Sequence, residues 1–400
     1  MPIMARQPAK GTLTQSLAVN ALAGSLPALL TGGARVRRSV ATPPWDPGLR
    51  VVLQCDRIRQ DHGYAPVWLR FAAGPALLVV HRTDVRAVID GFSAPFARAL
   101  PHLGSSPRAA KRPKGSALTE HLVDTVLSVA TRSPRLAHVA QQRVTELTKD
   151  ARHIDARKWR LLLHKLAWNV ILGGEDAADA VVDDRSGTTA TAGTYARQGQ
   201  LVHSQLRHCA PQAPGRLWRD DAVMLAAARQ LAMTVTQLCD RTARYSFHAL
   251  QLLSVRPPVC VGPGYMAASL REASRLWPEA PASFRQTTRD TRWGGKLLPE
   301  GSRILVMNLF GHRDRRRISF ADDFAPSVWL PGGHAISDPL FNGFGHGRHH
   351  EPSEEFGVQC GAGLLSAAMN AVQMQPVLGL HDDAGRMRHT APPDRPIVLA

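Results

Sequence analysis

The sequence predicts a mainly α fold with a minor β lobe, and three observations carry that expectation. Apolar residues recur at i, i+3 and i+4 in HLVDTVLSVA, KWRLLLHKLAWNVIL and AVMLAAARQLAMTVTQLCDRTARYSFHALQLL, between about 118 and 256. Two β-branched and aromatic runs, VWLRFA and ALLVVH, flank the turn-forming AGP. A chain of 400 residues that is 44% hydrophobic can bury a large core in one or two domains.

In chain order, residues 1–45 read as a partly ordered N-terminal arm closed by Pro43, Pro44 and Pro47, and 46–400 as a single domain. Its β-rich parts are expected at about 50–90, where the two runs form a hairpin, and at 283–310; the helical lobe is expected at about 118–275. The last of the periodic segments holds about 34 residues without proline or glycine, a helix about 50 Å long at ~1.5 Å per residue. After Pro257 and Pro258, AASLREASRLWPEAP predicts a short amphipathic helix stopped by Pro278. SFRQTT and KLLPEGSRILVMN follow as short strands, with Pro299-Glu300-Gly301 as a turn between a strand pair. One more helix is expected from about 352 to 375, within a loop-and-helix region spanning 341–375.

Composition excludes several classes. No run of about 18 apolar residues exists, so no membrane span is expected. Gln15, Asn20 and Ser25 interrupt LTQSLAVNALAGSLPALL, which argues against a secretory signal. The cysteines, Cys55, Cys209, Cys239, Cys260 and Cys360, are scattered and lack C-x-x-C spacing, which predicts a cytoplasmic location and no zinc site. The formal charge of +17 raises a nucleic-acid reading. The arginines are spread along the chain with little aromatic interleaving, so no nucleic-acid partner is expected. The acidic pairs Asp183-Asp184, Asp220-Asp221 and Asp322-Asp323 offer the hard oxygen donors that Mg²⁺ prefers; solvated caps and turns are the alternative reading.

Two features carry chemistry. In LREASRLWP, Glu272 and Arg275 sit three apart on one helical face, where they can pair; alone, such spacing reads as a surface ion pair. In FGHGRHHEPSEEFGVQC, a Gly-rich loop runs into a helix; alone, it reads as an ordinary turn. The order of these elements, with the proline after the first helix, the P-E-G turn and FADDFAPSVWLPG between them, resembles the cytochrome P-450 superfamily of haem-thiolate monooxygenases. The similarity extends over about Leu49 to Leu399 and is most specific after Leu270.

The resemblance implies a cytochrome P-450-like fold, a haem cofactor and a loop F-G-x-G-x-H-x-C-P-G. In that register Phe344, Gly345, Gly347, His349 and Pro352 match as cofactor-binding positions. Glu351 stands at the axial metal position, where the family has its thiolate, and Ser353 replaces the last glycine. Two glycines let a backbone approach a porphyrin face, and His349 is placed to face a propionate. A carboxylate is a hard donor and lacks the electron push of a thiolate. Cys360 is the alternative ligand, nine residues further on; recruiting it requires a shifted register in which Ser353, Phe356 and Val358 replace the loop's Phe, Gly and basic residue.

Other family positions depart in the same direction. The family's long helix carries a small-residue kink and an acid–threonine pair. Here TVTQLCDRTARYS has no glycine, Asp240 and Thr242 are the candidate catalytic pair, and Arg241 and Arg244 flank them; a plain core helix with one polar face is the alternative. The third arm of the ion-pair network is missing by the same comparison: in FAPSVW the family often has an arginine, variably among its members, where Val328 stands. His121 and Arg132 are candidate propionate partners, each read otherwise as a surface residue.

The expectation is a degenerate member that keeps what builds the fold and has lost or exchanged the thiolate. It would act as an auxiliary protein in natural-product biosynthesis with an enzyme partner, or in redox-free isomerase or cyclase chemistry on an apolar small molecule in the old cavity. A haem-binding oxidoreductase with altered axial ligation at Glu351 or Cys360, served by a redox partner, is the other reading.

Overall fold

A computed structural model describes residues 46–71, 74–90, 96–98, 116–149, 151–182, 192–209, 212–214, 221–258, 261–293, 296–333, 340–341, 352–382 and 385–399. The arm at 1–45 and the loop at 342–351 lie outside the described residues, as do Cys260, Asp183, Asp184 and Asp220.

The β lobe begins with helix α1 (Pro47–His62), whose first turn is capped by Asp46: its carboxylate accepts from the Gly48 and Leu49 amides at 2.9 and 3.2 Å. Strands β1 (Val67–Phe71) and β2 (Gly74–Val79) form the expected hairpin, with Val67 opposite Leu78. Helix α2 (Arg82–Asp90) and strand β3 (Phe96–Arg98) follow. The stretch expected to be β-rich at 50–90 therefore carries its two strands between two helices. The five-stranded sheet has the order β1-β2-β8-β5-β3, with β5 at Ser283–Thr287 and β8 at Arg303–Val306. Strand alternation gives it two buried faces. Ala76, Leu78 and Leu305 pack towards α1, while Leu77, Val79, Ile304 and Val306 pack towards α2.

The Pro299–Gly301 turn forms, with the Ser302 amide donating to the Pro299 carbonyl at 3.1 Å and Gly301 at φ +83°. The strands on either side of it, however, are not each other's partners. β7 (Lys296–Leu298) pairs with β6 (Thr291–Trp293) in a separate ribbon, and β8 pairs with β5 and β2. A turn motif fixes local direction and leaves the choice of partner strand to tertiary packing.

The helical part contains α3 (Ser116–Thr131), α4 (Arg135–Thr148), the two-residue strand β4 (His153–Ile154), α5 (Ala156–Leu172), α6 (Glu175–Val181) and α7 (Ala192–His208). The central helix α8 (Asp221–Val255) is 35 residues long. It packs against α3, α5, α7, α9 (Pro263–Leu276) and α11 (Pro352–Ala371). Between α9 and α11 lies the short α10 (Asn308–His312). α11 ends at Ala371, short of the expected 375. Beyond it the chain turns to meet its own C-terminal segment: the Gln375 amide donates to the Val398 carbonyl at 2.9 Å and Met374 bridges to Leu399. No helix among the described residues is long and apolar enough to cross a membrane.

Glycines on α11 set how close it lies to α8. A Cβ on Gly357 would fall 2.6 Å from Leu238 Cδ1 and 2.7 Å from Thr242 Oγ1. One on Gly361 would fall 2.3 Å from Leu270 Cδ1 and 2.8 Å from Thr242 Cγ2. Only a bare backbone fits there. As Gly357 meets Leu238 and Gly361 meets Thr242 and Ser246, the two helices run in the same direction, and the N-terminus of α11 lies level with α8 positions before Leu238.

Candidate functional site

Helix α9 starts behind Pro263, a proline suited to a first helical position, and ends at Leu276 ahead of Pro278. Both members of its Glu-x-x-Arg pair are fully buried, so this is not a surface ion pair. Arg275 binds Glu272 through two parallel bonds, Nε to Oε2 at 2.8 Å and Nη2 to Oε1 at 2.7 Å. Its remaining donors reach the carbonyls of His312, Ala321, Phe320 and Asp323 at 2.8–3.2 Å.

Glu272 is as fully occupied. Oε1 accepts from the Ala325 amide and Oε2 from the Trp329 indole, both at 2.9 Å. Burial alone would push this carboxyl up. The Arg275 charge and the Arg275, Trp329 and Ala325 donors outweigh it and hold Glu272 below the ordinary carboxylate value. No charged third arm stands at Val328, and the Trp329 indole one residue later donates to Glu272 instead. The signal was present in FAPSVW, because a buried indole requires an acceptor for its N–H.

A second buried arginine extends the network. Arg313 donates to Asp322 at 3.0 Å and to the Met387 carbonyl at 2.6 Å. Burial and the neighbouring Arg275 charge push Arg313 down to about 10. Arg315 also binds Asp322. The oxygens of Asp322 are thus taken by guanidinium groups, which corrects its reading as a Mg²⁺ donor. Among the described residues no group of three His, Cys, Asp or Glu side chains is arranged to hold a metal ion.

The network extends to the last described residue before 342. Phe341, the last described residue before 342, packs against the rings of Trp329, His312 and Phe320, with centroids at 5.8, 6.0 and 6.4 Å. Each of those rings is tied to the ion pair: Trp329 through its indole, His312 through bonds in both directions with Arg275, and Phe320 under the guanidinium at 5.2 Å. On the exit side Arg271, next to Glu272 on α9, binds Glu355 in the first turn of α11 at 2.8 Å. Phe341 and the Arg271–Glu355 pair were not singled out in the sequence.

α11 begins at Pro352, so Glu351 immediately precedes it. Phe344, Gly345, Gly347, His349 and Glu351 themselves lie outside the described residues, and of Pro352 only the backbone is described. Cys360 lies deep in α11, buried in the main helical core. Burial pushes its thiol well above the ordinary value, and likewise that of Cys239, with which it interacts. His121 is exposed on α3 and Arg132 is exposed just beyond it, as their reading as surface residues has it.

Asp240 and Thr242 do not meet. Residues two apart on a helix face different ways, and these two have separate neighbours. Asp240 Oδ1 accepts from Arg160 Nε at 2.6 Å and hydrogen-bonds His164 Nε2 at 2.8 Å, both on α5. Burial pushes its carboxyl up, but the His164 and Arg160 bonds prevail and hold it low. Thr242 is fully buried against Gly357 and Gly361, and its hydroxyl has no partner among the described residues. Arg241 and Arg244 lie on a third face, paired with Glu279 at 3.1 and 2.9 Å. They therefore avoid the desolvation that their position in the sequence had implied.

These features define a class: a mainly helical protein in which a buried Glu-x-x-Arg pair is tied to Phe341 through Trp329, His312 and Phe320, on a helix that also binds the first turn of a core helix. The family model for cytochrome P-450 matches residues 264–350. The chain is 31% identical over 116 residues to cyclooctatin synthase from Streptomyces melanosporofaciens, covering 29% of this chain and 25% of that protein. It is 36% identical over 67 residues to cytochrome P-450 27C1 from Aquarana catesbeiana, covering 17% and 12%. The alignments thus span a quarter or less of these relatives. Among solved structures, a cytochrome P-450 (CYP102L1) superposes with a TM-score of 0.62 at 14% identity, covering 87% of this chain and 94% of that one. Cytochrome P-450SP alpha in complex with (R)-ibuprophen gives a TM-score of 0.59 at 15% identity, covering 89% and 99%. The chain has the cytochrome P-450 fold, and the family match supports the cytochrome P-450 superfamily.

Proposed function

We propose that this chain is a cytochrome P-450-fold protein that has lost thiolate ligation, and with it monooxygenase activity, and serves as an auxiliary partner in a biosynthetic pathway. One observation carries the reading: the residue directly before α11, in the ligand register, is Glu351, while the only cysteine downstream of it is locked in the core. A haem-ligating sulfur must be anionic and open on one side to the iron. Cys360 is not open: it is buried and stands among helices packed at glycine distance, and burial disfavours its thiolate. The family match also stops at 350, one residue short of Glu351.

Proteins of this family generally hold haem, which with a thiolate ligand supplies oxygen activation. The donor set here, with a carboxylate in the ligand register, does not fit a haem-thiolate centre. The separation of Asp240 from Thr242 points the same way, as the proton-delivering pair of the family has no counterpart at these positions. The similarity to cyclooctatin synthase supports a biosynthetic setting.

A second reading, a haem protein with Glu351 as a hard axial ligand and a redox partner, is favoured by Gly345, Gly347 and His349, which keep the spacing that suits a porphyrin face. The test is an absorption spectrum of purified protein with and without haemin, reduced under carbon monoxide. We expect no red-shifted thiolate band from the wild type, and gain of that band together with tighter haem binding in Glu351→Cys. A wild-type band abolished by Cys360→Ser would overturn the proposal. Haem binding by the wild type without the band would favour the second reading.

A further inference from the structure

We infer that residues 386–390 form a strap, opened by acid, that fastens the start of α1 to the Arg313–Asp322 pair, with His389 as the residue that senses the proton. The strap is independent of what stands at Glu351. Its closed state is built by close contact. A Cβ on Gly48 would fall 2.6 Å from the His389 carbonyl oxygen and 2.7 Å from the carbonyl carbon, so only glycine lets the first turn of α1 lie against the strap. Asp46, the cap of α1, serves both sides: its carboxylate accepts from the His389 and Thr390 amides and the Thr390 hydroxyl, besides the Gly48 and Leu49 amides. From the opposite direction, the Met387 carbonyl accepts from Arg313 at 2.6 Å and the Met387 amide donates to the Asp322 carbonyl at 2.9 Å. A few residues on, the Pro393 and Arg395 carbonyls accept from Gln251 of α8 at 3.3 and 3.4 Å. The strap thus joins the β lobe to the helical part.

His389 lies between two carboxylates and hydrogen-bonds to neither. Its side chain is buried, with Nδ1 4.0 Å from Asp46 and Nε2 3.5 Å from Asp322, and Nε2 has no partner among the described residues. Occupancy is the reason. Asp46 is taken up by main-chain and hydroxyl donors, and Asp322 by Arg313 and Arg315. The imidazole therefore faces Asp46 from α1, and Asp322, Arg313 and Arg315 from the segment after α10, with both carboxylates already engaged. Burial and the Arg313 charge outweigh them and push His389 from 6.5 down to about 4. Opening frees the ring to water and to its ordinary value, so below pH 6.5 the open strap takes up a proton that the closed strap refuses. Asp46 and Asp322 are held below 3.8 and add their losses only at lower pH.

Amide exchange of Gly48, His389 and Thr390 in the purified chain at pH 6.5 and 4.5, corrected for the intrinsic pH dependence of exchange, tests this. The opening equilibrium is expected to rise on acidification by up to about tenfold per pH unit, with these amides less protected than those of α4 at both values. His389→Gln should flatten that rise, whereas His248→Gln, which removes the other depressed histidine, should leave it in place. Gly48→Ala drives the strap off by collision and is expected to raise exchange at His389 and Thr390 already at pH 6.5, with α4 unchanged. Titration of the His389 ring by NMR in the wild type serves if His389→Gln fails to fold: a value well below 6.5 supports the strap, and one at or above 6.5 overturns it. The inference is also overturned if His389→Gln keeps the full rise, or if the three amides exchange only as fast as α4, since the segment would then open only with the whole chain.

Discussion

Glu272 and Arg275 on α9, and Asp240 and Thr242 on α8, are both polar pairs on long core helices, and they end in opposite circumstances. The first pair, three residues apart, shares a face and closes on itself with every polar atom engaged. The second, two apart, is split: Asp240 turns to Arg160 and His164, and Thr242 is pressed against α11 with its hydroxyl unpartnered among the described residues. Spacing decides whether side chains can cooperate, and close helix packing decides whether anything else can enter between them. The region that braces the fold is complete, and the stretch of α8 where an acid–threonine pair would be sought is filled by its own core.

The largest effect that would break this comparison comes from the first pair. Arg275→Leu or Glu272→Leu strands a buried charge and is expected to cost about 3–5 kcal/mol of unfolding free energy in urea titrations. Replacing both with leucine should cost less than the sum of the two, since neither charge is then left alone. A single substitution costing under about 1 kcal/mol would mean the pair is solvated.

Next in size is the α8–α11 contact. Gly361→Ala would put a methyl 2.3 Å from Leu270 Cδ1 and 2.8 Å from Thr242 Cγ2; overpacking of this kind costs about 1–3 kcal/mol. Gly264→Ala, where nothing lies within 4 Å, is the control and should be neutral or slightly stabilising. Equal effects at the two glycines, read from the denaturation midpoints, would show that α11 does not rest on α8 as described.

Much of the fold was legible because it rests on local regularities. The period of α8, the hairpin around AGP and the proline-bounded α9 each announce themselves within a few residues of sequence. Partner choice was not legible. Nothing in KLLPEGSRILV shows that β7 would leave β8 for β6, because the strand edges compete only once the sheet forms. At the site, the Glu272–Arg275 pair was visible from spacing, whereas Trp329 was not, because the family's charged arm falls at Val328 and an indole carries no charge. An indole donor does the same task without a charge, and only its buried N–H reveals it. Phe341 escaped because an aromatic residue before a loop looks like any core residue until its neighbours prove to be tied to one ion pair.

The pH dependence of stability sharpens the contrast between satisfied and unsatisfied buried groups. His248 on α8 is held neutral: burial, reinforced by the Arg244 charge, pushes it down to about 3, and it has Trp277 edge-on at 5.4 Å. Its ordinary value is 6.5, so on acidification the unfolded chain takes up a proton that the folded chain refuses. Stability is therefore full above 6.5 and declines as pH falls towards 3, by up to about 1.4 kcal/mol per pH unit for this one group. His389, pushed down to about 4 by burial and Arg313, acts in the same direction. Glu272, held below 4.5, adds its loss only at lower pH. Urea titrations at pH 4.5 and 6.5 thus isolate the histidines, and His248→Gln should shrink the difference between the two conditions. An unchanged difference would mean that His248 is already solvated in the folded chain.

The smallest effect has the opposite sign. Thr242 Oγ1 is buried without a hydrogen-bond partner among the described residues, on the face of α8 that meets the two glycines of α11. A hydroxyl in that state has lost its water without gaining a bond, so removing it should help rather than harm. Valine has nearly the same shape and stiffness, and in a helix its preferred rotamer is available. Thr242→Val is expected to stabilise the chain by about 1 kcal/mol, seen as a higher urea midpoint with an unchanged slope. The outcome separates two roles that look alike in sequence. A threonine kept for proton delivery has a hydroxyl that some group must contact, and its loss would leave that group unpaired and lower the midpoint. A threonine that merely fills a helix crossing loses nothing. If Thr242→Val destabilises by 1 kcal/mol or more, the hydroxyl has a partner, and the Asp240–Thr242 stretch of α8 is more than a packed core.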